Sequence, residues 1–162
     1  MPRASKGFGL ARMLRGMDTL THALSGALMA RLLHVRSPAP VASQATSASR
    51  PPLWAGVLAG TVAGAFPDVD IVARWWGDVA YLLNHRGVTH SLLLAPLWAA
   101  LVAWVLAWVL RRWVQPPSGV AAATAMTWRS LYGVCLAGIL IHIAGDWITQ
   151  FGTMLWAPLS NS

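Results

Sequence analysis

The stretch LLLAPLWAALVAWVLAWVL, residues 92–110, decides the class of this fold. It contains nineteen consecutive residues without a charge. As an α-helix rising ~1.5 Å per residue it would be ~29 Å long, about the thickness of the hydrocarbon core of a bilayer. The segment therefore predicts a membrane-spanning helix.

The composition of the whole chain agrees with that interpretation. Its 162 residues, with a mass of 17.4 kDa, allow one domain, because domains usually contain about 100–150 residues. Apolar residues make up 56% of the chain and charged residues 10%, whereas an average soluble domain has about 25% charged residues. The mean hydropathy is +0.54. A multidomain enzyme is excluded, and a membrane protein is predicted.

The charged residues exclude further classes. Eleven Arg and one Lys against five Asp give a net charge of +7, and the chain contains no Glu. A zincin HExxH site is therefore excluded. The Arg residues are scattered between apolar segments instead of forming a basic stripe, so we expect no nucleic-acid partner and interpret them as topology and headgroup anchors. The single cysteine, Cys135, lies in an apolar stretch and is expected to be a buried, inert thiol.

Three other apolar segments accompany the first, at residues 20–33, 53–66 and 131–148. Together the four predict an all-α, polytopic membrane helical bundle with three or four membrane segments. Two of them, residues 20–33 and 53–66, have only fourteen residues each, so they would need flanking residues or local thinning of the bilayer to cross it.

The remaining chain divides into tails and loops. Residues 1–16 form a basic N-terminal extension, and Met17, an alternative start, opens the membrane-embedded domain of residues 17–162. Residues 35–52 are rich in Pro, Ala and Ser and predict a flexible loop. Residues 114–127 predict a second loop. Trp residues near the segment ends are typical of membrane interfaces.

The few polar residues are placed in a pattern. Asp18 and His22 are four residues apart at the start of the apolar segment 20–33. His142 and Asp146 are four residues apart near the end of the segment 131–148. If all four segments cross the membrane in turn, these two ends lie at one membrane face. The end of segment 53–66 and the start of segment 92–110 lie at the same face. The residues that we expect to meet there as metal ligands are His22, Asp68, Asp70, His85, His90, His142 and Asp146.

This donor set predicts a centre for a divalent metal. Imidazole and carboxylate ligands suit Zn, with Mn or Fe as alternatives, and seven donors are enough for more than one ion. Parts of the set could have ordinary structural roles instead: Asp18 with His22 could be a helix cap and a snorkelling His, and Asp68 with Asp70 a simple turn. An Asp within an apolar helix, such as Asp146, needs a partner, which favours function.

Small residues lie on the same helix faces as these ligands. Gly26 follows His22 by four residues, Gly138 precedes His142 by four, and three glycines run at intervals of four towards Asp68: Gly56, Gly60 and Gly64. Such spacing predicts close helix packing beside the metal centre.

Four strings carry a resemblance to a known family: MDTLTH (17–22), FPDVD (66–70), HRGVTHS (85–91) and HIAGDW (142–147), the last running on to FGTMLWAP (151–158). In this order the chain resembles the YdjM-like family of bacterial inner-membrane metal-dependent hydrolases. The resemblance implies the seven metal-site positions, a multi-pass inner-membrane location and hydrolytic activity. The family is similar, more distantly, to zinc-dependent phospholipase C and P1 nuclease, which implies a phosphoester substrate, either a small molecule or a lipid. This chain departs from the pattern in its extension before Met17, its long loop after Val35 and its early end after Pro158.

A hydrolytic mechanism would use a metal-activated water, whose pKa falls to about 7 when it is coordinated. Asp18 or Asp70 would then serve as general acid or base, and Thr89 or Ser91 would orient ligands. Arg86 would clamp a phosphate oxygen or, alternatively, anchor a headgroup.

Two other functions remain open from the sequence. A transporter or metal-handling protein would use the His and Asp residues as a relay, although such sites usually lie at the bilayer midplane. A non-catalytic membrane interaction module would use the metal only to fix its fold.

Overall fold

Four α-helices make up most of the described chain. The computed structural model describes residues 7–36, 50–69, 88–113, 126–148 and 155–156, and for residues 7–18 it describes the backbone. The helices are α1 (Gly7–Arg36), α2 (Leu53–Ala65), α3 (Ala95–Trp113) and α4 (Trp128–Ile148). These ranges contain no strand, so the predicted all-α class is confirmed.

Two helices, α3 with 19 residues and α4 with 21, are long and apolar enough to cross a bilayer. This number is smaller than the three or four membrane segments that the sequence predicts. With 13 residues, α2 is too short, and the 30 residues of α1 include polar side chains such as Thr21, His22 and Ser25 that lower its hydropathy. The described ranges therefore contain two candidate membrane spans.

The first helix extends into the predicted N-terminal extension and into the start of the first predicted loop. The first helix begins at Gly7, inside the predicted extension, and continues through Arg36, so Val35 and Arg36 are helical and not part of a loop. Residues 37–49 and 114–125, which hold most of both predicted loops, lie outside the described residues.

Glycines bring α1 and α2 close together in antiparallel pairing. A Cβ atom added to Gly64 would lie 2.6 Å from the carbonyl oxygen of His22, and one added to Gly60 would lie 2.8 Å from Ala30 Cβ. Gly26 faces the Gly60 carbonyl just as closely. The predicted close packing is confirmed at these three glycines. Gly56 is an exception, because a Cβ there would meet no atom within 4 Å.

The core consists mainly of small side chains, with α4 in the middle. α4 packs against the other three helices. Its buried face presents Leu131, Cys135 and Ile139, and Gly138 lies against α2 so closely that an added Cβ would be 3.0 Å from the Gly60 carbonyl oxygen. Alanines from α2 and α3 fill the remaining space. The prediction that the Cys135 thiol is buried is confirmed.

The outward faces are strongly apolar. On α3, Leu97, Trp104 and Trp108 are each about 60% exposed. Trp113, at the end of α3, and Trp147, near the end of α4, are also exposed, at the ends where a bilayer would have its interfaces. Such surfaces suit contact with lipid chains.

Candidate metal centre

Five predicted ligands meet at one end of the bundle. His22 comes from α1, Asp68 from the 3-10 turn that follows α2, and His90 from the 3-10 turn Val88–His90 that precedes α3. His142 and Asp146 come from successive turns of α4. The order of the four segments along the chain therefore has the effect that the sequence predicts: it brings distant His and Asp residues to one end.

The short turn that carries His90 is held by neighbouring polar contacts. Ser91 Oγ accepts a hydrogen bond from the Leu94 amide at 3.4 Å, which caps the start of α3. Ser91 Oγ also donates to the Leu155 carbonyl at 3.4 Å, and the indole N–H of Trp98 donates to the Val88 carbonyl at 3.0 Å. These contacts fix the position of His90, whose side chain is fully buried.

His90, His142 and Asp146 form the buried centre of the cluster. The two imidazole Nε2 atoms are 3.1 Å apart. Asp146 Oδ2 lies 3.1 Å from His90 Nε2 and 3.5 Å from His142 Nε2. The exposure of all three side chains is 3% or less, so water screens their interactions little.

A backbone contact defines the tautomer of His142. Its Nδ1 lies 2.6 Å from the carbonyl oxygen of Gly64, and because a carbonyl can only accept, Nδ1 carries the proton and donates. The Nε2 atom of the neutral ring then presents its lone pair to the cluster. An N–H to carbonyl bond of this kind is the usual support for a metal-bound imidazole.

Thr89 contacts the Nδ1 atom of His90, the same ring atom that Gly64 contacts in His142. Its hydroxyl lies 3.1 Å from His90 Nδ1. If Nδ1 donates to this hydroxyl, both Nε2 lone pairs point at the same space, an arrangement that a cation between them would stabilise. Without a cation, His90 Nε2 must carry a proton and donate it to His142 or Asp146.

The contacts of Asp68 indicate which of these two states, with a cation or without one, fits the cluster better. Its Oδ1 lies 3.6 Å from His142 Nε2 and 3.9 Å from His90 Nε2, beyond the length of a good hydrogen bond. Its Oδ2 is buried and has no hydrogen-bond partner among the residues that the structure describes. A carboxylate in this position is costly unless a positive charge compensates it. The donor set therefore fits a cation better than it fits hydrogen bonds alone.

The distances within the donor set fit a tetrahedral ion. Five pairs among Asp68 Oδ1, His90 Nε2, His142 Nε2 and Asp146 Oδ2 are separated by 3.1, 3.1, 3.5, 3.6 and 3.9 Å. In a tetrahedral zinc site with bonds of about 2.1 Å, neighbouring donors are about 3.4 Å apart. Five of the six pairs in this set therefore lie within about 0.5 Å of the spacing in such a site.

His22 is the fifth member of the cluster. Its Nε2 lies 3.2 Å from Asp146 Oδ1, whereas Asp146 Oδ2 is the oxygen beside His90 and His142. The His22 ring is 3.9 Å from the His142 ring between centroids. His22 is 12% exposed. It belongs to a second group that could hold an ion, His22 with His142 and Asp146. His142 offers only its Nε2 atom, because Nδ1 donates to Gly64. An ion bound by His22, His142 and Asp146 would therefore use the same nitrogen as an ion bound with His90 and Asp68.

Backbone features that sequence reasoning did not identify complete the centre. Gly145 leaves room for His22, because an added Cβ would lie 3.0 Å from His22 Cε1. The Gly64 carbonyl orients His142. The regular glycine spacing signals close packing, but it does not show which carbonyl faces an imidazole.

The other predicted site residues are not placed by the structure. Asp70, His85 and Arg86 lie outside the described residues, and Asp18 is described only in its backbone. Their assigned roles remain predictions. Of the two residues expected to orient ligands, Thr89 contacts His90, whereas Ser91 bonds to Leu155 and caps α3.

Comparison with known proteins agrees with the membrane character of the bundle. The family model described as YdjM inner membrane protein matches residues 17–162. The chain belongs to this family. YdjM family membership indicates an inner-membrane location, and the two apolar helices α3 and α4 are consistent with it.

A curated relative extends the comparison. Bacillus subtilis (strain 168) has an uncharacterized protein, YfhP, that is 26% identical over 146 residues. The match covers 90% of this chain but 38% of YfhP, so the chain spans well under half of that relative. No solved structure matches. The YdjM family assignment therefore rests on the sequence comparison, and the His and Asp cluster is the feature from which function can be argued.

Proposed function

We propose that this YdjM family chain is a membrane-bound hydrolase that uses a divalent metal, zinc in the first instance, to cleave a phosphoester. In this proposal the metal ligands are Asp68, His90, His142 and Asp146. The observation that carries the proposal is the 3.1–3.9 Å spacing of five donor pairs in this set, together with the buried Asp68 oxygen that has no hydrogen-bond partner among the described residues. Mn and Fe remain alternatives, because they also accept imidazole and carboxylate ligands.

A bound divalent ion would supply an activated water and polarise the scissile bond. The protein's own contribution is to hold and orient the ligands. The Gly64 carbonyl fixes the His142 ring, and Thr89 contacts the far nitrogen of His90. His22 donates to Asp146 Oδ1, which would hold the carboxylate with Oδ2 beside His90 and His142, where it could bind the ion. In this assignment His22 positions a ligand, which differs from the ligand role that the sequence predicts for it.

A substrate would reach the site on the side of Asp68, which is the most exposed of the four proposed ligands. Asp68 is 19% exposed, whereas His90 and His142 are completely buried. Its contacts within the donor set are also the longest, at 3.6 and 3.9 Å. A second ion would require donors beyond this set, and Asp70 and His85 are the predicted candidates. Asp18 or Asp70 remains the proposed general acid or base.

The position of the centre favours a substrate at the membrane surface. His142 and Asp146 occupy the last two turns of α4, and His90 directly precedes α3. Because α3 and α4 are the candidate membrane spans, the centre lies near one interface and not at the midplane. A phosphoester in a lipid headgroup reaches this depth, and a small soluble phosphoester reaches it from the aqueous side.

We also propose that α1 and α2 lie in the membrane beside the two spans. On α1, Leu20, Leu24 and Leu28 lie four residues apart and are about 60% exposed. The opposite face of α1 is occupied by α2, through Gly26 and Gly60. A paired, leucine-covered hairpin is better suited to lipid than to water.

The first test combines metal analysis with turnover. Protein purified in detergent is analysed by metal mass spectrometry and assayed on phosphodiesters, both soluble and lipid. Wild type should contain stoichiometric metal and hydrolyse at least one substrate class, and both properties should be lost in His142→Ala and strongly reduced in Asp68→Asn. His34→Ala is the matched control, because His34 lies near the end of α1 and belongs to neither donor group.

The second candidate function is a metal that only stabilises the fold. The complete burial of His90 and His142 favours this alternative, because structural zinc sites are closed and fully coordinated by protein. Chelation separates the two functions. Helical content that survives chelation while hydrolysis stops and returns with metal supports the enzyme, and unfolding without any measured hydrolysis supports the structural role.

A further inference from the structure

A cavity of about 390 Å³ lies at the opposite end of the bundle from the metal centre. Its lining residues come from the end of α3 and the start of α4: Trp104, Ala107, Trp108, Arg111, Arg112 and Trp128. Trp128 is the first residue of α4 and precedes His142 by fourteen positions, which corresponds to ~21 Å along the helix. The cavity is therefore separate from the proposed hydrolytic site.

The cavity is amphiphilic along the axis of α3. Arg111 and Arg112 lie in the last turn of the helix, whereas Trp104 and Ala107 lie one to two turns deeper. Because α3 is a candidate membrane span, the two guanidinium groups lie towards the aqueous end and Trp104 lies towards the hydrocarbon. A molecule that fits this arrangement has an anionic head and an apolar continuation.

The rim of the cavity carries a further positive charge. The Arg129 guanidinium carbon lies 5.6 Å from the centroid of the Trp128 ring, within the range of a cation–π contact. Trp128 also packs edge-on to Tyr132, with 6.5 Å between the ring centroids. These two contacts hold the Trp128 wall of the cavity in place.

Positive charge predominates at this end among the described residues. The two acidic side chains that the structure describes, Asp68 and Asp146, both belong to the metal centre. Exposed arginines lie in the halves of the helices away from that centre: Arg31, Arg36, Arg111, Arg112 and Arg129. This end of the bundle therefore attracts anions, and the aromatic cavity is the place where an anion with an apolar tail can be bound.

We propose that the cavity binds one anionic phospholipid. Arg111 and Arg112 contact its phosphate, since guanidinium groups pair with phosphate in a bidentate manner. The glycerol backbone and the first part of an acyl chain pack against Trp104, Trp108 and Trp128. A volume of about 390 Å³ suits a headgroup region and not a whole lipid, so the chains continue into the bilayer along the exposed face of α3.

The test measures lipid binding to the full chain in detergent by native mass spectrometry. Phosphatidylglycerol and phosphatidylcholine with identical acyl chains are titrated separately, so that charge is the main difference. Wild type should bind phosphatidylglycerol at least tenfold more tightly. The double variant Arg111→Gln, Arg112→Gln should bind it about 30-fold more weakly, which corresponds to about 1 kcal/mol for each arginine near a membrane surface at 1.4 kcal/mol per tenfold change.

A matched variant, Arg31→Gln with Arg36→Gln, removes two exposed arginines that do not line the cavity. It should change the affinity by less than threefold. An equal loss in both double variants, or equal binding of both lipids by wild type, would overturn the proposal in favour of general surface attraction. Displacement of the lipid by millimolar inorganic phosphate would overturn it in favour of a free-anion site. Unchanged helical content by circular dichroism in the Arg111→Gln, Arg112→Gln protein shows that its fold is intact, and this control does not depend on the proposed metal or hydrolase.

Discussion

Replacing two glycines of one helix by alanine should change stability in opposite directions. In Gly64→Ala the new Cβ would lie 2.6 Å from the His22 carbonyl oxygen and 3.2 Å from Gly26 Cα. Real Cβ contacts essentially never fall below 3.0 Å, so the α1 and α2 backbones must separate by about 0.4 Å or more. In Gly56→Ala, on the same buried face of α2, the new methyl group meets no atom within 4 Å.

The magnitudes follow from these contacts. Overpacking costs about 1–3 kcal/mol, and alanine in place of glycine in a helix returns about 0.5–1 kcal/mol. We expect Gly64→Ala to lose roughly 1 kcal/mol and Gly56→Ala to gain up to about 1 kcal/mol. For a chain of this length, a difference of about 2 kcal/mol corresponds to a gap in Tm of roughly 4–8 °C.

The assay is thermal unfolding in detergent, followed by circular dichroism, with metal content measured on the same samples. Gly64→Ala moves both the backbone that carries His22 and the carbonyl that orients His142, so its metal affinity should fall about tenfold. Gly56→Ala should retain wild-type affinity. Equal melting temperatures and equal metal content in the two variants would refute the close α1–α2 contact on which this reasoning depends.

Other substitutions test single contacts. Thr89→Val keeps the shape of the side chain but removes the hydroxyl beside His90 Nδ1, and metal affinity measured by competition with a chelator should fall about tenfold, whereas Thr89→Ser should restore it. His22→Leu should weaken metal binding by a similar factor while His22→Gln, which can still donate to Asp146, should weaken it less; complete loss of metal in both would instead make His22 a ligand. The Cys135 thiol, fully buried on α4, should react with a maleimide only after unfolding, and mass spectrometry showing labelling of folded protein would contradict the described packing.

Hydrophobic patterning is sufficient to predict α2, α3 and α4. The predicted segments 53–66 and 131–148 agree with α2 and α4 to within a few residues, because their ends coincide with Pro, Trp or polar residues that signal a boundary. The bounds of α1 are not predicted by this pattern. Its N-terminal half is basic and carries little hydropathy signal, so helix formation from Gly7 and its continuation through Arg36 were not visible.

Hydropathy alone predicts three or four membrane segments, whereas two of the described helices meet the criteria for a span, and the difference has a physical reason. Hydropathy describes each segment in isolation, and on that basis short or polar segments such as residues 20–33 and 53–66 are ambiguous. Packing supplies the missing information, because Gly26 and Gly60 pair these segments into one hairpin. Two helices satisfy the criteria for a span on their own, and the other two have to be considered as a pair.

The sequence by itself determined which residues have the chemistry of a metal centre and, through the alternation of four segments, that they share one end of the bundle. Only the tertiary structure decided which of their donor atoms face one another. The Nε2 spacing of His90 and His142, the Gly64 carbonyl bond that leaves one donor atom on His142, and the orientation of Asp146 between His22 and the other two rings depend on helix rotation and on close glycine contacts. These are differences of tenths of an ångström between elements far apart in the chain. Residue type and spacing along one helix cannot encode them, because they arise only when all four helices pack together.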